Sequence, residues 1–137
     1  MLHKVTAMKL TPSFPDQIYV HLDADGVATP VAGGNEFWSL PRKEIEKYGR
    51  GWLISEYEFS EDWKTWEMHP VADEYVYLLS GELELHLDEP NGLRVITMQD
   101  RAAVVIPKGI WHTAKVKKIC RMLHVTMGEG TEIRPVK

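Results

Sequence analysis

The sequence predicts an all-β, single-domain protein built as a β-sandwich or small barrel. From Gly51 onward, apolar and polar residues alternate over short runs, and turn residues separate those runs at close intervals. No repeat or low-complexity linker divides the chain, so its 137 residues read as one domain, 1–137. Within it, 1–50 reads as an N-terminal extension of strands, loop and short helix, 51–128 as the barrel core, and 129–137 as a C-terminal tail.

In the extension, Ile18 to Leu22 predicts a strand, Asp25-Gly26 a tight turn, and Val27 to Thr29 a return strand. Pro30 to Asn35 reads as a glycine-rich loop. Pro41 to Tyr48 is the helical candidate: Pro41 suits a first turn, and Gly49 a C-terminal stop. Its short, charged sequence suggests a helix that decorates the domain and does not form its core. The core begins with WLISEYEF, where Leu53, Tyr57 and Phe59 share one face while Glu56 and Glu58 share the other. Further strands are expected at Trp66 to His69, Glu74 to Leu79, Glu82 to Leu87, Leu93 to Met98 and Ala102 to Ile106. A short segment near Thr113 to Val116 and a strand from Ile119 to Met127 complete the set. Glu89-Pro90-Asn91-Gly92 is a hairpin turn.

Composition excludes several function classes. Net charge is −4 with acids and bases mixed along the chain, so no basic field points to nucleic acid. No stretch has the apolar length of a signal peptide or a membrane span, which makes a cytoplasmic protein without a membrane partner the expectation. The lone cysteine, Cys120, precludes an internal disulfide and argues against a thiolate zinc site.

Chemistry concentrates in EMHPVADEYVYLLSG, Glu67 to Gly81. His69 and Glu74 are five apart, an odd spacing that would aim them at opposite faces of one strand. Pro70 argues against one strand, because it donates no ladder hydrogen bond, and Val71-Ala72-Asp73 leaves room for an irregular connection that resets the phase. Glu67 shares a face with His69 before the break; Val76 and Leu78 share one with Glu74 after it. Downstream, Pro107 and Gly109 make a turn in IPKGIWH that delivers His112 to the start of the next strand, where it could complete a site with His69 and Glu74.

These residues resemble the two motifs of the cupin superfamily. His69, Glu74 and Gly81 match the end of the first motif, and Pro107, Gly109 and His112 the core of the second. The resemblance covers roughly Gly51 to Gly128 and implies a jelly-roll β-barrel (a double-stranded β-helix) with a short N-terminal helix. It also implies a metal site, commonly three histidines and one glutamate. Three positions depart from the pattern: Glu67 stands where the first histidine is usual, Arg101 where a glycine opens the second motif, and Val116 where an asparagine ends it. His69, Glu74 and His112 therefore carry over as metal ligands, with Glu67 as a fourth ligand or a catalytic base. Two histidines and a carboxylate suit a facial triad on iron, while manganese, nickel, zinc or copper could take similar ligands.

By analogy the protein is expected to be a metal-dependent cupin acting on a small molecule, of the oxygenase type. A non-catalytic binding or sensing cupin, and a metal-dependent isomerase or decarboxylase, are the alternatives. His3, His21, His86 and His124 lack the motif spacing, and His86 is expected to be solvated beside Glu82 and Glu84. Asp73 is expected in a turn. The five tryptophans suggest core and interface packing, with Trp66 and Trp111 directed away from the metal or forming an aromatic wall for a planar substrate. Tyr75 and Tyr77 alternate with the inward positions and should cover the barrel's outside, against the N-terminal segment or a second subunit. A homodimer is expected from these outward aromatics.

Overall fold

The computed structural model describes residues 8–137. Besides helical residues at 8–10, two short helices and nine antiparallel strands are present among these residues. The N-terminal extension carries β1 (Ile18–Leu22), β2 (Ala28–Ala32), α1 (Gly34–Trp38) and α2 (Arg42–Lys47). The barrel follows with β3 (Trp52–Phe59), β4 (Thr65–Met68), β5 (Glu74–Glu89), β6 (Gly92–Met98), β7 (Ala103–Ile106), β8 (Trp111–Thr126) and β9 (Glu132–Pro135). No described helix is long and apolar enough to cross a membrane.

The jelly roll is organised by its two long strands. The first half of β5 lies between β7 and the second half of β8, which continues through β3 and β1 to β2. The second half of β5 lies between β6 and the first half of β8, which continues through β4 to β9. Two sheets thus share β5 and β8, and the core fills the space between them with Val76, Leu78, Leu83, Leu85, Leu87, Met98, Ile106, Ala114 and Met122.

Here the sequence expectation needs correction. Glu74 to Leu79 and Glu82 to Leu87 are one strand, not two, as are Thr113 to Val116 and Ile119 to Met127. The phase of β5 changes in mid-strand: even positions Glu74, Val76 and Leu78 are buried before the change, odd positions Leu83, Leu85 and Leu87 after it. Irregular pairing with β8 between Leu78 and Leu83 absorbs the shift, which imitates a strand end in sequence. Strand β8 keeps one phase from His112 to His124, both buried.

Three further elements differ. Pro30 lies in β2 and not in a loop, permitted because β2 is an edge strand paired only with β1. Gly34 and Asn35 open helix α1, which the glycines disguised as loop. The segment expected as a tail carries β9, paired along β4 from Thr65↔Pro135 to Met68↔Glu132. Its Arg134 guanidinium lies over the rings of Trp111 (4.4 Å) and Trp66 (5.4 Å) and bonds Asp88 at 2.8 Å, so those tryptophans hold β9 down.

The family-pattern glycine replaced by Arg101 has a backbone explanation. Arg101 has φ +67°, a conformation glycine adopts without strain. Its side chain offsets part of that strain by bonding Tyr77 Oη at 2.6 Å and lying over the same ring. Tyr77 therefore packs beneath the turn before β7, and Tyr75 is exposed.

Candidate metal centre

The irregular connection 69–73 sits between β4 and β5, as the proline implied. The turn before β8 pins it: Gly109 N–H donates to the His69 carbonyl at 2.9 Å, and Lys108 N–H to Asp73 Oδ1 at 2.9 Å. Glu67 of β4 pairs directly with His112 of β8. The two halves of the sequence pattern are thereby stitched together by backbone.

Both imidazoles are presented in one tautomer. Thr131 Oγ1–H donates to the Gly128 carbonyl at 2.8 Å, so the same oxygen accepts Nδ1–H of His69, also at 2.8 Å. His112 Nδ1–H donates to the Ile110 carbonyl at 3.1 Å. Each Nε2 keeps a free lone pair, and neither has a hydrogen-bond partner although both are buried. Between them lies Glu74, with Oε1 at 3.3 Å from His112 Nε2 and Oε2 at 3.6 Å from His69 Nε2. Thr126 Oγ1–H donates to Oε2 at 2.5 Å, leaving Oε1 without a partner. Ligands at right angles around a divalent ion lie roughly 3 Å apart, so this spacing fits a shared ion. The Glu67 carboxylate reaches within 3.9 Å of His69 Nε2. One ligand atom each from Glu67, His69 and His112 falls within a mutual 4.8 Å, a group that could hold a metal ion.

The electrostatics fit the same arrangement. Burial would raise the Glu74 pKa, but the imidazoles of His112 and His124, then His69, outweigh it and hold the carboxyl ionised well below its usual range. Burial lowers His69. For His112, burial is outweighed by Glu74, assisted by the Ile110 carbonyl and Glu67, and its pKa is raised. Glu67 is raised by burial and then by the charge of Glu74.

Sequence reading missed His124. It is only 1% exposed, its Nδ1 is 3.8 Å from Glu74 Oε2, and its ring stacks on Tyr57 at 4.3 Å. The available signal was parity: His112 and His124 are twelve apart on what proves to be a single strand, hence on one face. His86 is half-buried and pairs with Glu84 at 3.2 Å, a correction to its expected solvation, while His3 lies outside the described residues. Trp66 and Trp111 pack against Arg134 and do not line the cavity.

A cupin domain model matches residues 54–126, more than half of the chain. The chain belongs to the cupin family. Among solved structures it is similar to a cupin-2 domain containing protein from Shewanella frigidimarina, at 22% identity and TM-score 0.46, over 62% of this chain and 71% of that one. An oxalate oxidase is similar at 21% identity and TM-score 0.50, over 58% of this chain and 44% of that one. The oxalate decarboxylase of Lactobacillus farciminis is similar at 16% and 0.52, over 62% and 26%. This cupin thus spans only a minor part of the two oxalate enzymes, and at these identities the likeness is one of fold. No protein of curated function matches the sequence.

Thr131 lies beyond the matched segment, yet it fixes the His69 tautomer. Thr131→Val is expected to weaken zinc binding about 10- to 100-fold, with Thr131→Ser retaining most of it. Competition titration against a chromogenic chelator measures both; equal affinities for Thr131→Val and the parent would remove Thr131 from this role.

Proposed function

We propose that this cupin is a mononuclear metal-dependent oxygenase acting on a small molecule. His69, Glu74 and His112 would hold the divalent ion, and Glu67 would act as base. The observation that carries the reading is the cluster of buried ligand atoms without hydrogen-bond partners: Nε2 of His69, Nε2 of His112 and Oε1 of Glu74. Buried polar atoms are normally satisfied, and three orphans converging within a few ångströms are accounted for by a cation. Two histidines and a carboxylate leave coordination positions open, which favours iron among the candidate metals, with manganese, nickel and zinc next.

A bound ion of this kind supplies Lewis acidity and, as iron, a redox couple for dioxygen chemistry. The protein's own groups would do the rest. Glu67 is the least buried of the cluster, with 33% of its side chain exposed, and it lines the cavity beside His69. From there it can take a proton from a substrate hydroxyl. Thr126 and His124 hold Glu74 from behind, while the apolar layer of Val76, Leu78 and Met122 keeps water from the barrel interior.

Elemental analysis of protein purified without a metal-affinity tag, followed by oxygen-uptake assays on candidate substrates, tests the reading. Metal-free protein that takes up no added iron, manganese, nickel or zinc would end it; bound metal with substrate turnover but no oxygen uptake would favour the isomerase or decarboxylase class. Glu67→Gln separates base from ligand. The expected outcome is unchanged metal content with turnover reduced about 100-fold or more. Loss of metal from that variant would make Glu67 a ligand instead.

A further inference from the structure

The metal-facing residues open into a cavity of about 810 Å³ whose far wall is made by the N-terminal extension. That extension precedes the segment matched by the family model, 54–126. Phe37 is buried and holds three neighbours by edge or tilted contact: Tyr19 at 5.4 Å, Trp38 at 4.8 Å and Tyr48 at 5.4 Å. Trp38 Nε1–H donates to Tyr19 Oη at 3.2 Å, which fixes the indole although it is 51% exposed. Gly33 permits this packing, since a Cβ there would lie 2.6 Å from the Tyr19 ring. The result is a rigid aromatic surface that faces the cavity and has apolar area left to cover.

The charges lining the cavity are equally selective. Four carboxylates line it: Glu74 buried, Glu67 partly so, and Glu46 and Glu132 exposed. Arg42 is the only cationic side chain among the described lining residues; it is 88% exposed and already bonded to Glu46 at 3.2 Å. A substrate carrying a carboxylate or phosphate away from the metal would meet carboxylates and no free Arg or Lys partner.

We propose that the cavity takes a small molecule with oxygen donors at its metal-facing end and an uncharged ring at its far end, held against Trp38, Tyr48 and Tyr57. This rests on the metal reading above and adds the substrate class.

Three hydroxamates with a common metal-binding head test it on zinc-loaded protein whose zinc content is measured first. Benzohydroxamate is expected to bind at least ten-fold more tightly than acetohydroxamate, which lacks the ring, and more tightly than 4-carboxybenzohydroxamate, which adds an anion. Trp38→Ala should collapse the ring preference without lowering zinc content. Ile45→Lys, which places a cation on the same wall, should bring the carboxylated probe to parity or better, and it serves where Trp38→Ala does not fold. If the zinc-loaded parent binds all three probes equally, or prefers the carboxylated one, the substrate class is wrong while the metal reading stands. If the parent holds neither zinc nor added iron, manganese or nickel, the metal reading itself fails.

Discussion

His112→Ala is expected to abolish metal retention, with affinity falling more than about 100-fold, since loss of a mere outer partner of a metal ligand costs roughly 10- to 100-fold. His112 is 0% exposed, its Nδ1–H is committed to the Ile110 carbonyl, and its Nε2 faces Glu74 Oε1 at 3.3 Å with no satisfied hydrogen bond. His69→Ala should behave alike, because the same logic of a tied Nδ1 and an orphaned Nε2 applies. Metal at a hundred times its dissociation constant stabilises a fold by about 2.7 kcal/mol, so the parent's melting temperature should rise on metal addition and the variants' should not. The pH dependence follows from His112. Its pKa is raised, so protons compete with metal from somewhat above the ordinary histidine value of 6.5, and occupancy falls as pH decreases. Without metal the sign reverses. The raised His112 pKa stabilises the metal-free fold fully below 6.5, and this contribution is lost as pH rises through the folded value. His69, lowered by burial, contributes with the opposite sign, so the His112 contribution is read as a difference: without metal, the melting deficit of His112→Ala relative to the parent should be larger at about pH 6.5 than at about pH 8. Undiminished metal content in both histidine variants would mean that the two imidazoles do not meet over an ion.

What the sequence disclosed, it disclosed through local chemistry. Pro70 marked the break that lets Glu67 on β4 and His69, just past its end, converge with Glu74 on β5, and Pro107 with Gly109 marked the turn that delivers His112. What stayed hidden depends on partners distant in sequence. The strand β9 is wholly exposed by burial pattern and owes its existence to pairing with β4 and to Arg134 on two tryptophans, none of which a nine-residue tail advertises. Helix α1 is a single turn anchored by one buried ring, Phe37, and tertiary packing there outweighs the poor helix propensity of Gly34 and Asn35. His124 was passed over because it lacks the motif spacing, and the division expected between Thr113–Val116 and Ile119–Met127, at Lys117-Lys118, hid the face it shares with His112. These exposed lysines belong to the long strand where it crosses between the two sheets.

That crossing also places a glycine where one added methyl group meets backbone. Gly81→Ala is expected to destabilise the fold by more than about 3 kcal/mol, combining a left-handed backbone cost of roughly 1–2 kcal/mol with overpacking against backbone. Gly81 has φ +94°, and a Cβ there would lie 2.1 Å from the Ile119 carbonyl oxygen and 2.7 Å from Cys120 Cα. Neither atom is the yielding end of a side chain, so β5 or β8 must move. Gly109→Ala is the control: its φ is +80°, but nothing lies within 4 Å of the added carbon, so it carries the conformational cost alone. Denaturant midpoints of the two variants separate the terms, and equal losses would show that the close approach to Ile119 has no energetic weight. The consequence reaches the site, because Gly81 lies where β5 changes phase between Leu78 and Leu83. A slip of one residue there would turn Glu74 from the cavity to the outside of the sheet. Any Gly81→Ala protein that does fold should therefore bind metal more weakly than the parent, although Gly81 touches none of the proposed ligands.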